Sequence, residues 1–340
     1  MINTFGSNFV IKIFGESHGP EIGVQIEGVP RGKELDIKKL RSFLDRRAPG
    51  RTELSSGRCE DDTPEFLTGI KEGAFSGEPI IAVIKNKDAR SKDYSAFKNT
   101  PRPGHADFPA MVRAKSDTVP PGGGAFSGRM TAPLCIAGGI ALQLLGERGI
   151  EVQAGIVSIG GFTEEEQMRE AVLKAKEAGD SLGGIISCTV TGLPVGVGEP
   201  MFDGLENKIA QAVFAIPAVK GIEFGAGFAA AGMKGSENND EYFIREGGSK
   251  CYDIYTRTNN AGGILGGMST GMPVELRVAV KPTPSIAKPQ RSVNMNSFKE
   301  EEIRVTGRHD PCIVPRAVPC VEAAVAIAVY DLLLWMEKRE

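Results

Sequence analysis

Apolar residues in this chain fall into short Val- and Ile-rich runs, cut at close intervals by Gly and Pro. Partial alternation within those runs predicts strands over residues 23–27, 80–85, 185–191 and 274–280. Wider apolar spacing predicts helices over 36–47, 130–147, 163–177, 204–215 and 318–338. Asp36 and Thr163 stand where N-caps are expected, and Thr163 with Glu166 has capping-box spacing. Strands and turns outnumber long helices, which points to an α+β protein.

A weak internal echo runs through this pattern. Gly28-Val29-Pro30-Arg31-Gly32 follows an apolar strand and precedes a helix, as does Gly192-Leu193-Pro194-Val195-Gly196. Ser76-Gly77-Glu78-Pro79 and Ser269-Thr270-Gly271-Met272-Pro273 each lead into a strand. The offset, roughly 160–195 residues, is far too long for a solenoid period. The expectation is one domain over 1–340 with two similar halves, 1–150 and 151–340, sharing a core.

The most apolar stretch, 318–335, is broken by Glu322 and Asp331, so it reads as a buried helix rather than a membrane span. Residues 1–19 carry Asn3, Asn8, Lys12, Glu16 and His18 and lack a signal peptide's unbroken apolar core. A cytoplasmic protein is expected. A net charge of −3 gives no field drawing the chain to nucleic acid or an anionic membrane, so any bound anion needs a local cluster of cations. Six cysteines, at 59, 135, 188, 251, 312 and 320, form no CxxC pair or zinc-like array and read as reduced, mostly buried thiols.

Candidate chemistry gathers in three constellations. His18, His105 and His309, the only histidines, each lie in a polar segment flanked by Gly or Pro. A lone loop histidine is more often structural, but three in such settings point to a shared acid–base site. No HExxH or His-x-His pair is present, so no metal is expected. Arg47, Arg129, Arg308 and Arg316 sit among turn motifs or apolar segments, unlike ordinary surface charge, and guanidinium suits phosphate and carboxylate. Two Gly-rich tracts, Gly122-Gly123-Gly124 and Gly262-Gly263-Ile264-Leu265-Gly266-Gly267, offer backbone amides to an anionic, flat ligand. Neither is a Walker loop or a dinucleotide fingerprint.

Together these segments resemble the chorismate synthase family over nearly the whole chain. The resemblance rests on Phe14-Gly15-Glu16-Ser17-His18-Gly19, Arg46-Arg47-Ala48-Pro49-Gly50 and Asp88-Ala89-Arg90-Ser91-Lys92-Asp93-Tyr94. Arg102-Pro103-Gly104-His105-Ala106-Asp107, Ala218-Val219-Lys220-Gly221, Lys281-Pro282-Thr283 and Gly307-Arg308-His309-Asp310-Pro311-Cys312 complete it in the same order.

The resemblance implies helices sandwiched between two antiparallel sheets in two pseudo-symmetric halves. It implies 1,4-anti elimination of phosphate from 5-enolpyruvylshikimate 3-phosphate to give chorismate, requiring reduced FMN with no net redox change. By similarity His18 protonates the departing phosphate, His105 acts on the reduced flavin, and Asp310 takes up the proton shed from it. Ser17 and Ser127 are hydrogen-bond partners in the same site. Arg47, Arg51 and Arg129 are expected on substrate anions. FMN is expected against Ala125, Phe126, Ser127, Ala218, Gly266, Lys281, Pro282, Thr283, Pro284, Ser285 and Arg308. A homotetramer and an external flavin reductase are further expectations.

This chain departs from many relatives at Ala125-Phe126-Ser127-Gly128-Arg129-Met130-Thr131, where they read Arg-Ser-Ser-Ala-Arg-Glu-Thr. Pro121 also stands where an Arg is usual. Two other readings stay open. A flavin oxidoreductase drawing hydride from NADPH or NADH needs a nicotinamide site, and no fingerprint for one is present. A non-catalytic flavin or phosphate binder would have no need for His18, His105 and Asp310.

Overall fold

The computed structural model describes residues 3–50, 62–86, 98–244, 253–305 and 309–339. One sheet contains β1 (Thr4–Phe5), β2 (Val10–Gly15), β3 (Glu21–Glu27), β4 (Glu65–Thr68) and β5 (Ile80–Lys85), in the order β1-β2-β3-β5-β4. The second contains β6 (Glu151–Ile159), β7 (Gly184–Thr191), β8 (Val219–Phe224) and β9 (Val274–Val280), in the order β8-β9-β7-β6. Every pairing in both sheets is antiparallel. The principal helices are α1 (Ile37–Arg47), α2 (Asp107–Ala114), α3 (Thr131–Gly146), α4 (Glu165–Glu177), α5 (Leu205–Phe214) and α6 (Val314–Glu337). Helix α3 packs on the first sheet, α6 on the second, and the two helices pack on each other. The chain is therefore α+β, with helices between two antiparallel sheets.

The repeated turns occupy matching places in the two sheets. Gly28 and Gly192 have φ of 84° and 76°, and Gly77 and Gly271 have 86° and 84°, values that glycine adopts without steric cost. Two residues before the first pair and three after the second, Ile26 faces Ile80 across β3 and β5. Val190 faces Val274 across β7 and β9 in the same way.

Residues 128–146 and α6 are both long and apolar enough for a membrane span, with mean hydropathies of 1.2 and 1.9. Their apolar windows are 83% and 94% buried inside the protein, so core packing accounts for that hydropathy. The helices approach closely where Gly138 meets Ala323: a Cβ on Gly138 would stand 2.2 Å from that of Ala323.

The two acids that interrupt the apolar stretch of α6 tie it to the rest of the fold. Asp331 Oδ1 accepts the backbone N–H groups of Ser7, Asn8 and Phe9 at 2.8, 2.6 and 2.8 Å. Phe9 then meets Tyr330 edge-on, with ring centroids 5.1 Å apart. Glu322 accepts from Arg46 Nη1 and Nη2, at 2.6 and 3.0 Å, and from the Ala154 amide at 3.0 Å. That one carboxylate joins α1, α6 and β6.

Two boundaries differ from the sequence pattern. Asp36 caps α1 as expected, accepting from Lys39 N at 2.9 Å. Thr163 caps nothing, and its capping box with Glu166 is absent, because Phe162 is held in a bridge to Ile159 and α4 starts only at Glu165. Glu165 and Glu166 in the first turn, with Lys174 and Lys176 in the last, complement the helix dipole instead. Helix α6 begins at Val314, before the expected 318, because Pro315 sits in the first turn, where no N–H is needed.

Replacing Asp331 by Ala leaves three amides without their acceptor and is expected to cost roughly 2–4 kcal/mol of stability. Urea unfolding of Asp331→Ala against the parent chain checks this, and an unchanged midpoint would contradict it.

Candidate functional site

A cavity of about 590 Å³ opens where the turn before α3, the start of α6 and the ends of β8 and β9 converge. Among the described residues its lining carries six cations, Arg47, Arg102, Arg129, Lys220, Lys281 and Arg316, against one carboxylate, Asp310. His105, His309, Ser127 and the apolar groups of Ala125, Phe126, Phe214 and Ala218 complete the relevant wall. So strong a bias toward positive charge in a partly enclosed space calls for an anion.

The turn of Gly122, Gly123 and Gly124 has φ of 60°, 80° and 51°, so three successive residues lie in the left-handed region. Pro120 and Pro121 lead into it, and Ser127 Oγ ends it by accepting from Arg129 N at 3.2 Å. Two histidines rest on this turn. A Cβ on Gly122 would fall 1.7 Å from His18 Nδ1, and one on Gly123 would fall 3.2 Å from His105 Nε2. Glycine is required there for both backbone angle and ring contact. His18 itself does not line the cavity; it lies against Gly122, which does. Ser17 Oγ is buried beside it and has no partner among the described residues.

Asp107 organises His105. Its carboxylate accepts from Arg102 Nε at 2.7 Å, from Arg102 Nη2 at 2.9 Å and from the Arg102 amide at 3.1 Å. Burial opposes the charge, yet hydrogen bonds from Arg102 and His105 hold this carboxyl well below the usual carboxylate range. An ionised Asp107 only accepts, so His105 Nδ1–H donates to it at 2.6 Å and Nε2 is the ring's acceptor, 3.4 Å from Arg102 Nη2. Arg102 Nη1 also donates to Ser285 Oγ at 3.0 Å, bringing the 281–285 segment to the same corner.

Arg47 and Arg129 are 2% and 5% exposed and share the buried carboxylate of Asp62, itself 4% exposed. Arg47 also donates to Thr131 Oγ1 at 3.1 Å and to the Gly128 carbonyl at 3.2 Å. Burial pushes the Asp62 carboxyl up, but the two guanidiniums outweigh it and hold the carboxyl low. Arg129 Nε donates to Asn86 Oδ1 at 3.1 Å, while Asn86 Nδ2 donates to the carbonyls of Glu16 and Gly19 at 3.0 and 2.8 Å. Asn86 thus links the His18 loop to the arginine pair.

The opposite wall is set by strand ends. Ala218 has φ of 73°, an uncommon value for a residue with a Cβ, and its carbonyl accepts Lys281 N at 2.9 Å. Burial and the nearby charge of Lys220 lower the Lys281 ammonium pKa. Asp310 pairs with Arg316, and its carbonyl accepts Thr283 Oγ1 at 2.9 Å. Arg316 Nε in turn donates to the Arg47 carbonyl at 3.0 Å.

A family model described as chorismate synthase matches residues 9–334. A protein of that name from Methanocella arvoryzae is 44% identical, covering 98% of this chain and 94% of its own. One from Lancefieldella parvula is 43% identical over 98% and 96% of the two chains. The chain belongs to the chorismate synthase family. A crystal structure of chorismate synthase has the same fold, with a TM-score of 0.74 at 25% identity over 97% of this chain and 93% of that one. The family makes this chain an enzyme, a lyase of aromatic amino-acid biosynthesis.

Of the residues singled out from the sequence, Arg47, His105, Ala125, Phe126, Ser127, Arg129, Ala218, Lys281, Thr283, Pro284, Ser285 and Asp310 line the cavity. Pro282 does not, and Ser17 and His18 stand behind the triple glycine. Gly266 is also outside the cavity, in the turn of a short hairpin between Leu265 and Met268. Arg51 and Arg308 lie outside the described residues. Arg316, a candidate anion-binding cation from the sequence, also lines the cavity. Sequence reasoning gave no role to Asp62, Asn86, Arg102, Asp107 or Lys220. The last three lay within recognised motifs and could have been found. Asp62 sits in a plain Glu60-Asp61-Asp62 run that reads as surface charge.

Because Asp107 has a depressed native pKa, its contribution to stability is complete above the unfolded value of about 4 and fades as pH falls through the native value. Asp107→Asn removes that contribution. The stability gap between parent and variant, measured by urea unfolding, is expected to be wide at neutral pH and narrower at about pH 3. A gap that does not change with pH would contradict the assignment.

Proposed function

We propose that this chain converts 5-enolpyruvylshikimate 3-phosphate to chorismate by 1,4-anti elimination of phosphate, requiring reduced FMN and causing no net redox change. The observation that carries the reading is the cavity with six cations and one carboxylate beside a triple-glycine turn bearing two histidines. A substrate with two carboxylates and a phosphate, together with the phosphate of FMN, matches that charge. Family membership supports the same substrate and cofactor.

The lining suits FMN in chemistry. Ala125, Phe126 and Ala218 offer apolar surface to a flat ring, and Lys281, Thr283 and Ser285 add a cation and hydroxyls. By family similarity Arg308 and Gly266 also serve it. Reduced FMN, when bound, supplies an electron-rich ring that assists C–O cleavage and is recovered at the end.

The protein's own groups do the remaining work. Arg47 and Arg129 hold substrate anions, already positioned by Asp62. His18 gives a proton to the departing phosphate. His105 acts through Nε2 because Asp107 occupies Nδ1. Asp310, oriented by Arg316, would take up the proton shed from the reduced flavin. Ser17 and Ser127 supply hydroxyls to the same site. The enzyme is read as a cytoplasmic homotetramer supplied with reduced flavin by a separate reductase. The matched registers of β3–β5 and β7–β9 support duplication of one ancestral half.

Anaerobic phosphate release from 5-enolpyruvylshikimate 3-phosphate, with and without chemically reduced FMN, tests the function. Equal amounts of phosphate and chorismate are expected, and only with reduced FMN. Phosphate-free incubations despite tight FMN binding would indicate a binding protein instead. His18→Ala and His105→Ala are each expected to slow turnover by about 10²–10⁴-fold with little change in the thermal midpoint. Full turnover in both variants would remove the histidines from the chemistry.

A further inference from the structure

Beside the arginine pair lies a group that the elimination does not use. Cys135 on α3 and Cys320 on α6 are free thiols whose sulfurs stand 3.8 Å apart. One turn further along each helix, Gly138 and Ala323 bring the two backbones close together. The contacts 135 to 320 and 138 to 323 advance together, so the helices run parallel here and hold the two sulfurs facing each other. Cys320 borders the cavity, whereas Cys135 is sealed behind it with no exposure.

We propose that Cys135 and Cys320 form a reversible dithiol–disulfide site in the wall of the cavity, with Cys320 as the attacking thiol and hydroperoxides as the oxidant class. The sulfurs must close from 3.8 Å to about 2.05 Å, a movement within the reach of side-chain rotation between two helices packed this tightly. The thiol of Cys135 donates to the sulfur of Cys320, whose own S–H donates to the Arg316 carbonyl at 3.3 Å.

The environment divides the two thiols by role. Hydrogen bonding from Cys135 lowers the Cys320 thiol pKa; burial opposes this, while Arg47, Thr131 and Arg316 add to the lowering. Burial instead pushes Cys135 well up, which suits a resolving thiol that reacts second. Burial also raises Cys188, and Cys312 is pushed up to about 11 by the same cause. The pair is thereby set apart from the other described cysteines.

The steps balance. The Cys320 thiolate attacks one peroxide oxygen, breaking the O–O bond and releasing hydroxide, and becomes a sulfenic acid. The Cys135 sulfur then attacks the Cys320 sulfur; water leaves with the Cys135 proton as the S–S bond forms. The sulfurs lose two electrons in all, and the peroxide gains them. A dithiol such as dithiothreitol reverses the bond by exchange. This inference goes beyond the elimination reading and does not depend on it.

Peptide mapping of the full reduced chain after brief native treatment with hydrogen peroxide, followed by alkylation in denaturant, tests the proposal. A cross-linked peptide containing Cys135 and Cys320, lighter by two hydrogens and released by dithiothreitol, is the expected result. In Cys135→Ala, Cys320 should collect as a sulfenic acid trapped by dimedone. In Cys320→Ser, Cys135 should oxidise roughly tenfold more slowly or not at all. Recovery of both residues as alkylated thiols from the treated parent chain would overturn the site, as would cross-links that leave Cys320 untouched. Absence of a dimedone adduct in Cys135→Ala would overturn the role of Cys320. The decisive mapping uses the unmodified chain and reads mass, so neither a misfolded variant nor failure to release phosphate obscures it.

Discussion

Two guanidiniums buried against one carboxylate set the terms for the cavity. Arg47 and Arg129 come from the end of α1 and the turn before α3, and Asp62 holds them side by side. Unscreened, these two cations would repel each other in a low-dielectric wall. Asp62 neutralises only one of the two charges, so a net positive charge remains facing the cavity. Buried ions are costly unless paired and hydrogen-bonded, and Thr131, Gly128 and Asn86 accept three further guanidinium N–H groups. The anion site is preorganised rather than assembled by its ligand.

The same economy operates in the histidine corner. Asp107 does not line the cavity, yet it fixes the tautomer of His105, pins Arg102 and, through Arg102, reaches Ser285. The triple glycine acts as a thin partition on which two imidazoles rest from different segments. Backbone without side chains is what lets those groups approach so closely. The helix pair α3 and α6 gives the site its rigid floor, with α6 carrying Arg316 and Cys320 and α3 starting at Thr131.

Much of this was legible in the chain. The strand runs at 80–85 and 274–280 match the observed boundaries because buried strands expose few ambiguous residues at their ends. The acids Glu322 and Asp331 correctly marked the C-terminal stretch as a core helix, although not the amides and guanidinium they bind. Helix ends were less legible. Thr163 has the right chemistry for a cap, but a tertiary bridge at Phe162 decides where α4 begins. Among site residues, motif spacing exposed those in Gly- and Pro-bound turns. It could not reveal Asp62 or Asn86, whose importance depends on which distant arginine folds over them. Gly266 sat in a recognised motif, but its hairpin stands outside this chain's cavity.

The contact between Asp331 and the amides of residues 7–9 also constrains how the molecule is made. These partners lie more than 320 positions apart in the chain. During synthesis, the opening strands leave the ribosome long before the helix that holds them exists. Until then the first sheet has an unsecured edge and Phe9 lacks the ring of Tyr330. Such long-range closure makes for slow maturation and a long interval in which apolar strands are open to wrong partners. The last helix is therefore the latch of the whole chain, and loss of its final turns would leave the earliest-made strands without their fastening.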